Sequence, residues 1–149
     1  MNNSFSSSFR VSKTPSQVFE AINNVKAWWT DNLKGLTENL NDEFEVQFGD
    51  VHYSAQRLTE VIQDKKVVWL VTASNLTFLN NPAEWVGTRI IFDINAEGNE
   101  TMVTFTHEGL VPEAECYDAC SPAWSLYLKN SLQMLINSGV GRPGFPPED

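Results

Sequence analysis

Positive charge is scarce in this chain. Ten Lys and Arg stand against 19 Asp and Glu, a formal net charge of −9. A phosphate backbone demands the opposite sign, and no Lys/Arg cluster compensates. Nucleic acid is therefore not an expected partner, and neither is an anionic membrane surface. Long apolar runs are missing too: none approaches the ~18 residues needed to span a bilayer, so no membrane insertion is expected. The start, Met1-Asn-Asn-Ser-Phe-Ser-Ser-Ser-Phe9, has neither the basic nor the apolar region of an export signal. Cysteine is limited to Cys116 and Cys120. These features together give the expectation of a cytoplasmic protein with reduced thiols.

Catalytic and cofactor signatures are equally thin. The chain has no G-x-S-x-G, no H-E-x-x-H and no glycine loop that could cradle phosphate. Cys116 and Cys120 stand at i, i+4, but one such pair without a second falls short of a zinc set. They read as small packing residues near a helix start. No cofactor and no metal are expected.

Aromatic and patterned apolar residues are plentiful. Five Trp and nine Phe occur in 149 residues, with 42% hydrophobic and 19% charged residues overall. That balance describes one globular domain with a substantial core. Phe5, Ser7, Phe9 and Val11 alternate with Ser6, Ser8 and Arg10, which predicts a strand. Thr14-Pro15 is an N-cap followed by proline at the first helical position. The helix it opens carries Val18, Phe19 and Ile22, and Val25 to Trp29 predicts a second short helix before a break at Gly35. Strands are then predicted over 43–48, 51–62 and 66–73, joined by turns at Gly49-Asp50 and Asp64-Lys65. A loop over 75–83 precedes a final hairpin, 85–94 and 100–107. The last helix, about 115–136, places Trp124, Leu128, Leu132, Leu135 and Ile136 on one face at a 3.6-residue period, with Asn130 and Ser131 on or near its polar flank. Residues 1–141 read as a single domain and 142–149, rich in proline, as a loose tail. The expected class is α+β: about six antiparallel strands, two short helices and one long C-terminal helix.

Three segments carry a family resemblance. They are Thr14-Pro-Ser-Gln-Val-Phe-Glu-Ala-Ile22 with Trp28-Trp29, Trp85-Val-Gly-Thr-Arg89, and Thr101-Met-Val-Thr-Phe-Thr-His-Glu-Gly109. With Cys116-Tyr-Asp-Ala-Cys-Ser-Pro-Ala-Trp124 and Tyr127-Leu128, the order resembles the START-like or SRPBCC superfamily, the helix-grip fold. Within it the chain is similar to the activator of heat shock protein 90 ATPase homologue family, as a single-domain bacterial-type member. The resemblance covers residues 4 to 141. It implies a curved sheet around the last helix and a cavity between them.

Such a cavity would take a small apolar or amphipathic molecule. Trp28, Phe48, Tyr53, Trp69, Val71, Phe105, His107, Trp124 and Leu128 are its expected lining, with Arg57 as a further polar group. His107 shares a face with Thr101, Val103 and Phe105 and could orient a ligand or act as an acid or base. Glu108 points the other way. Glu113, Glu115 and Asp118 suit the start of a helix dipole. The leading expectation is a ligand-binding protein, monomeric, without catalytic residues. A chaperone-interaction domain and a cyclase-like enzyme are the alternatives.

Overall fold

The computed structural model describes residues 3–144. Its sheet has seven antiparallel strands in the order β1-β7-β6-β5-β4-β3-β2. These are β1 (Phe5–Val11), β2 (Leu33–Gly35), β3 (Glu43–Phe48), β4 (His52–Ile62), β5 (Lys66–Leu76), β6 (Arg89–Glu97) and β7 (Glu100–Glu108). Helix α1 (Pro15–Asn23) and a 3₁₀ turn, Val25–Ala27, link β1 to β2. The C-terminal helix runs from α2 (Tyr117–Tyr127) through one π-helical turn, Leu128–Leu132, into α3 (Gln133–Ser138). No helix among the described residues is long and apolar enough to cross a membrane.

Local chemistry explains most boundaries. Thr14 caps α1 reciprocally: its Oγ1 accepts from the Gln17 amide at 3.1 Å, while Gln17 Oε1 accepts from the Thr14 amide at 3.0 Å. Gly139, with φ 85°, terminates α3 in the left-handed conformation. The sheet's buried face follows the period of two: Phe44 and Val46, then Leu58, Trp69 and Val71, Ile90 and Phe92, Val103 and Phe105. Register shifts between Ala55 and Gln56, and between Leu58 and Glu60, bulge the β4–β5 pairing and bend it.

Four expectations are corrected. The sheet has seven strands, not six. The extra one, β2, has three residues and is too short for its alternation to be read; it pairs Leu33 with Val46 and Gly35 with Phe44. Gly35, expected as a break, sits in that strand at φ +109°, where a Cβ would strike the Glu43 carbonyl. Second, β5 extends to Leu76 and β6 starts only at Arg89. Trp85 lies in the connection, because Gly87 takes φ +88° and the Thr88 amide turns back onto the Trp85 carbonyl at 3.0 Å. Third, Ser131 is fully buried, its hydroxyl donating to the Trp28 carbonyl at 2.6 Å. Ser131 follows Leu128 by three residues and Trp124 by seven, spacings that place it beside the apolar face.

The fourth concerns the tail, whose start is held. The Arg142 amide donates to Ser131 Oγ at 2.8 Å and the Gly144 amide to the Trp29 carbonyl at 2.8 Å. Residues 145–149 lie outside the described residues. Between these contacts, a Cβ on Gly141 would press into the carbonyls of Ala27 and Ser131. Gly141→Ala is expected to lower stability by about 1–3 kcal/mol, read from the urea midpoint, because backbone on both sides cannot yield.

Candidate functional site

The interior between sheet and helix is filled by aromatic rings. All five tryptophans join one connected array. Trp85 stacks on Trp124 (centroids 6.0 Å, 12°), Trp124 on Trp29 (5.1 Å), Trp29 on Trp69 (5.6 Å) and Trp28 on both Trp29 and Trp69 (6.3 Å each). Phe92 and Phe105 meet the array edge-on or tilted, Phe105 at 4.6 Å from Trp124. Offset stacks and edge contacts are the favoured geometries for such rings. Trp28, Trp69 and Phe105 are completely buried.

Open space survives at one end of this array. A cavity of about 480 Å³ lies where three segments converge. The β3–β4 hairpin supplies Phe48, Val51 and His52. The β5–β6 connection supplies Phe78 and Trp85. Helix α2 supplies Asp118, Ala119, Cys120, Pro122, Ala123, Leu126 and Tyr127 across the top, with Trp29 and Trp124 beneath. Phe78 and Val51 are half exposed and mark the mouth.

Two glutamates hold the walls together. Glu84 accepts from the amides of Glu115 (2.8 Å) and Cys116 (2.9 Å) ahead of α2. Glu115 in turn accepts from the amides of Asn80 (2.7 Å) and Asn81 (3.1 Å). Each carboxylate thus satisfies backbone donors of the opposite segment, which anchors Trp85 and α2 side by side. A fixed role for Glu84 was not legible in the sequence, since its partners lie 31 and 32 residues away. Cys116 and Cys120 are paired as a disulfide at a Cα separation of 5.4 Å, in place of the reduced thiols expected. No group of three or more His, Cys, Asp or Glu that could hold a metal occurs among the described residues.

The two histidines flank Trp85. His52 meets its ring at 4.9 Å and His107 at 4.7 Å, both nearly perpendicular. His107 Nδ1 accepts from Trp124 Nε1 at 3.1 Å, so the proton sits on Nε2, which donates to Thr88 Oγ1 at 2.9 Å. The Thr88 hydroxyl passes its own hydrogen to the Trp85 carbonyl at 2.6 Å. Both ring nitrogens of His107 are therefore engaged. Burial pushes both histidines down from 6.5 to about 3, with the neighbouring His52 adding to the effect on His107. His52 Nε2 shares a hydrogen with Ser54 Oγ at 2.8 Å, and Gln56 Nε2 donates to the same oxygen at 2.6 Å. Ser54 and Gln56 in this strip on β4 are fully buried, a feature the residue pattern did not signal.

The expected lining residues separate into three groups. Phe48 and Trp124 line the cavity. Trp28, Trp69, Val71, Phe105, His107 and Leu128 are sealed in the core beside or below it. Tyr53 sits on the opposite face of β4, half-buried; partial burial, together with the Glu45 carboxylate beside it, raises its pKa. Arg57, four residues along, shares that outer face, because side chains alternate along a strand. Glu108 also faces out, accepting from Arg89 Nε at 2.7 Å, which lowers its pKa. Trp29, His52 and Trp85 are further wall residues, not among the nine expected.

The seven-stranded antiparallel sheet and the C-terminal helix against it give the chain a helix-grip fold. It is similar in structure to the Aha1 dimer from Colwellia psychrerythraea, with a TM-score of 0.75 and 23% identity over 92% of this chain and 98% of that one. An HSP90 activator from Plasmodium falciparum matches at TM-score 0.63 and 15% identity, over 92% and 96% of the two chains. DynU16, from the dynemicin biosynthetic locus, matches at TM-score 0.67 and 12% identity, over 95% of this chain and 49% of that one. No protein-family model and no curated protein matches the sequence.

Proposed function

We propose that the protein binds a small apolar or amphipathic molecule in the cavity beneath α2. The observation that carries this reading is the cavity of about 480 Å³ walled by Phe48, Phe78, Trp85, Trp124 and Tyr127. Its size and apolar lining fall in the range of small-molecule sites. The filled interior limits the ligand to this end of the fold, so a long acyl chain running under the whole helix does not fit. Titration with a panel of short fatty acids, flavonoids and fused-ring aromatics, followed by heteronuclear NMR, is expected to shift Phe48, Trp85, Trp124 and Tyr127 together. No shift across the panel would remove the reading.

A second reading is a protein-interaction domain related to co-chaperones, using the outer surface. The structural likeness to the Aha1 dimer and to the HSP90 activator supports it at the level of fold. A pull-down with the chaperone and an assay of its ATPase test it, and no binding together with no change in turnover would end it. A cyclase-like reading with His107 as acid or base has less support, since His107 is sealed and both of its nitrogens are already bonded.

A further inference from the structure

The charge around the cavity narrows the ligand class. Among its wall residues the one charged side chain is Asp118, exposed at the rim in the first turn of α2. No Lys or Arg occurs anywhere in residues 67–88 or 90–128, the stretches that supply Phe78, Trp85 and all of α2. Glu84 lies close behind the wall and already occupies the Glu115 and Cys116 amides ahead of α2, while Glu115 occupies those of Asn80 and Asn81, so these donors are not free to attract an anion. Pro122, also in the wall, has no N–H to give the Asp118 carbonyl one turn earlier. The histidines stay neutral near pH 7 and supply no positive charge.

Six of the remaining wall residues are Trp, Phe or Tyr, the others being His52 and small or aliphatic side chains, and aromatic faces carry negative potential that attracts cations. An anionic ligand would meet Asp118 and a net charge of −9 with nothing to balance it. A neutral ligand would gain only apolar burial.

We propose that the cavity selects an aromatic amine: a fused or benzyl-type ring seated among Trp29, Trp85, Trp124 and Tyr127, bearing a protonated or quaternary nitrogen held at the rim by Asp118. This rests on the cavity reading above and adds the sign of the ligand's charge.

Three probes of one shape test it by calorimetry with NMR mapping: 2-naphthylmethylammonium, 2-naphthylmethanol and 2-naphthylacetate. The ammonium is expected to bind about tenfold more tightly than the alcohol, with the acetate weakest. Added salt should narrow the gap. Asp118→Asn should bring the ammonium close to the alcohol; Asp118 is exposed, so the fold tolerates the change. Equal binding of ammonium and alcohol, tighter binding of the acetate, or a preference untouched by Asp118→Asn would each overturn the charge assignment while leaving the cavity reading in place. No binding by any of the three would overturn the aromatic-amine assignment, and the cavity reading falls with it only if the broader panel also gives no shift.

Discussion

Trp69→Ala is expected to destabilise the protein by about 3–5 kcal/mol, a large share of the 5–15 kcal/mol typical of a domain. Trp69 is completely buried and touches Trp28, Trp29, Phe44 and Phe92. Those neighbours are themselves flat and rigid, so they cannot close in on the vacated volume, and the loss should sit toward the upper end. Trp69→Phe should cost much less, because it keeps a ring in the array and also removes an indole N–H that has no hydrogen-bond partner. Phe78→Ala, at a residue 49% exposed on the cavity mouth, serves as the comparison and should stay near 0.5 kcal/mol. Urea denaturation of the three variants reads the series. A loss below about 1 kcal/mol for Trp69→Ala would mean that its ring borders open space rather than packed core.

Stability should also fall as the pH drops from 7 to 5, by about 2–4 kcal/mol. In the unfolded chain both histidines titrate near 6.5; in the folded protein burial holds them at about 3. Between those values the unfolded state binds more protons, so stability rises with pH. It is fully present above about pH 7.5 and is lost progressively as the pH falls through 6.5 toward 3. At pH 5 each fully shifted histidine has given up about 2 kcal/mol. His107 should supply its whole share, since protonating Nδ1 would set an N–H against the Trp124 N–H. His52 is half-buried and edges the cavity, where water can soften its share. Carboxylates at ordinary values remain ionised through most of this window, which keeps the histidine signal separable. His107→Gln should reduce the slope of stability against pH over 5–7 by half or more. An unchanged slope in that variant would show that His107 is not the group responsible.

Much of the fold was legible because it is written in local patterns. The alternation of Phe5 to Val11 and of Glu43 to Phe48 matches β1 and β3 at both ends, and Thr14-Pro15 marked the start of α1. The long apolar face through Trp124, Leu128, Leu132 and Ile136 marked the C-terminal helix. Such signals depend on periodicity and capping, which involve residues a few positions apart. β2 had too few residues to show a period. The hydrogen bond that buries the Ser131 hydroxyl goes to the Trp28 carbonyl, 103 residues away, which no local pattern encodes.

The candidate site was less legible. An aromatic-rich interior beside the last helix could be expected from composition and resemblance, and Phe48 and Trp124 do reach the opening. Which rings fill space and which border it depends on how five large side chains share one volume, and no spacing rule encodes that competition. The burial of His107 between Thr88 and Trp124, the Glu84–Glu115 clamp and the outward turn of Tyr53 likewise depend on partners from distant segments. The sequence by itself therefore determined the element order, the apolar faces and an acid balance hostile to anionic partners. The tertiary structure alone decided that the aromatic centre is filled and that a cavity opens between α2, the β3–β4 hairpin and the β5–β6 connection, because packing density depends on contacts among all segments at once, whereas periodicity depends on each segment alone.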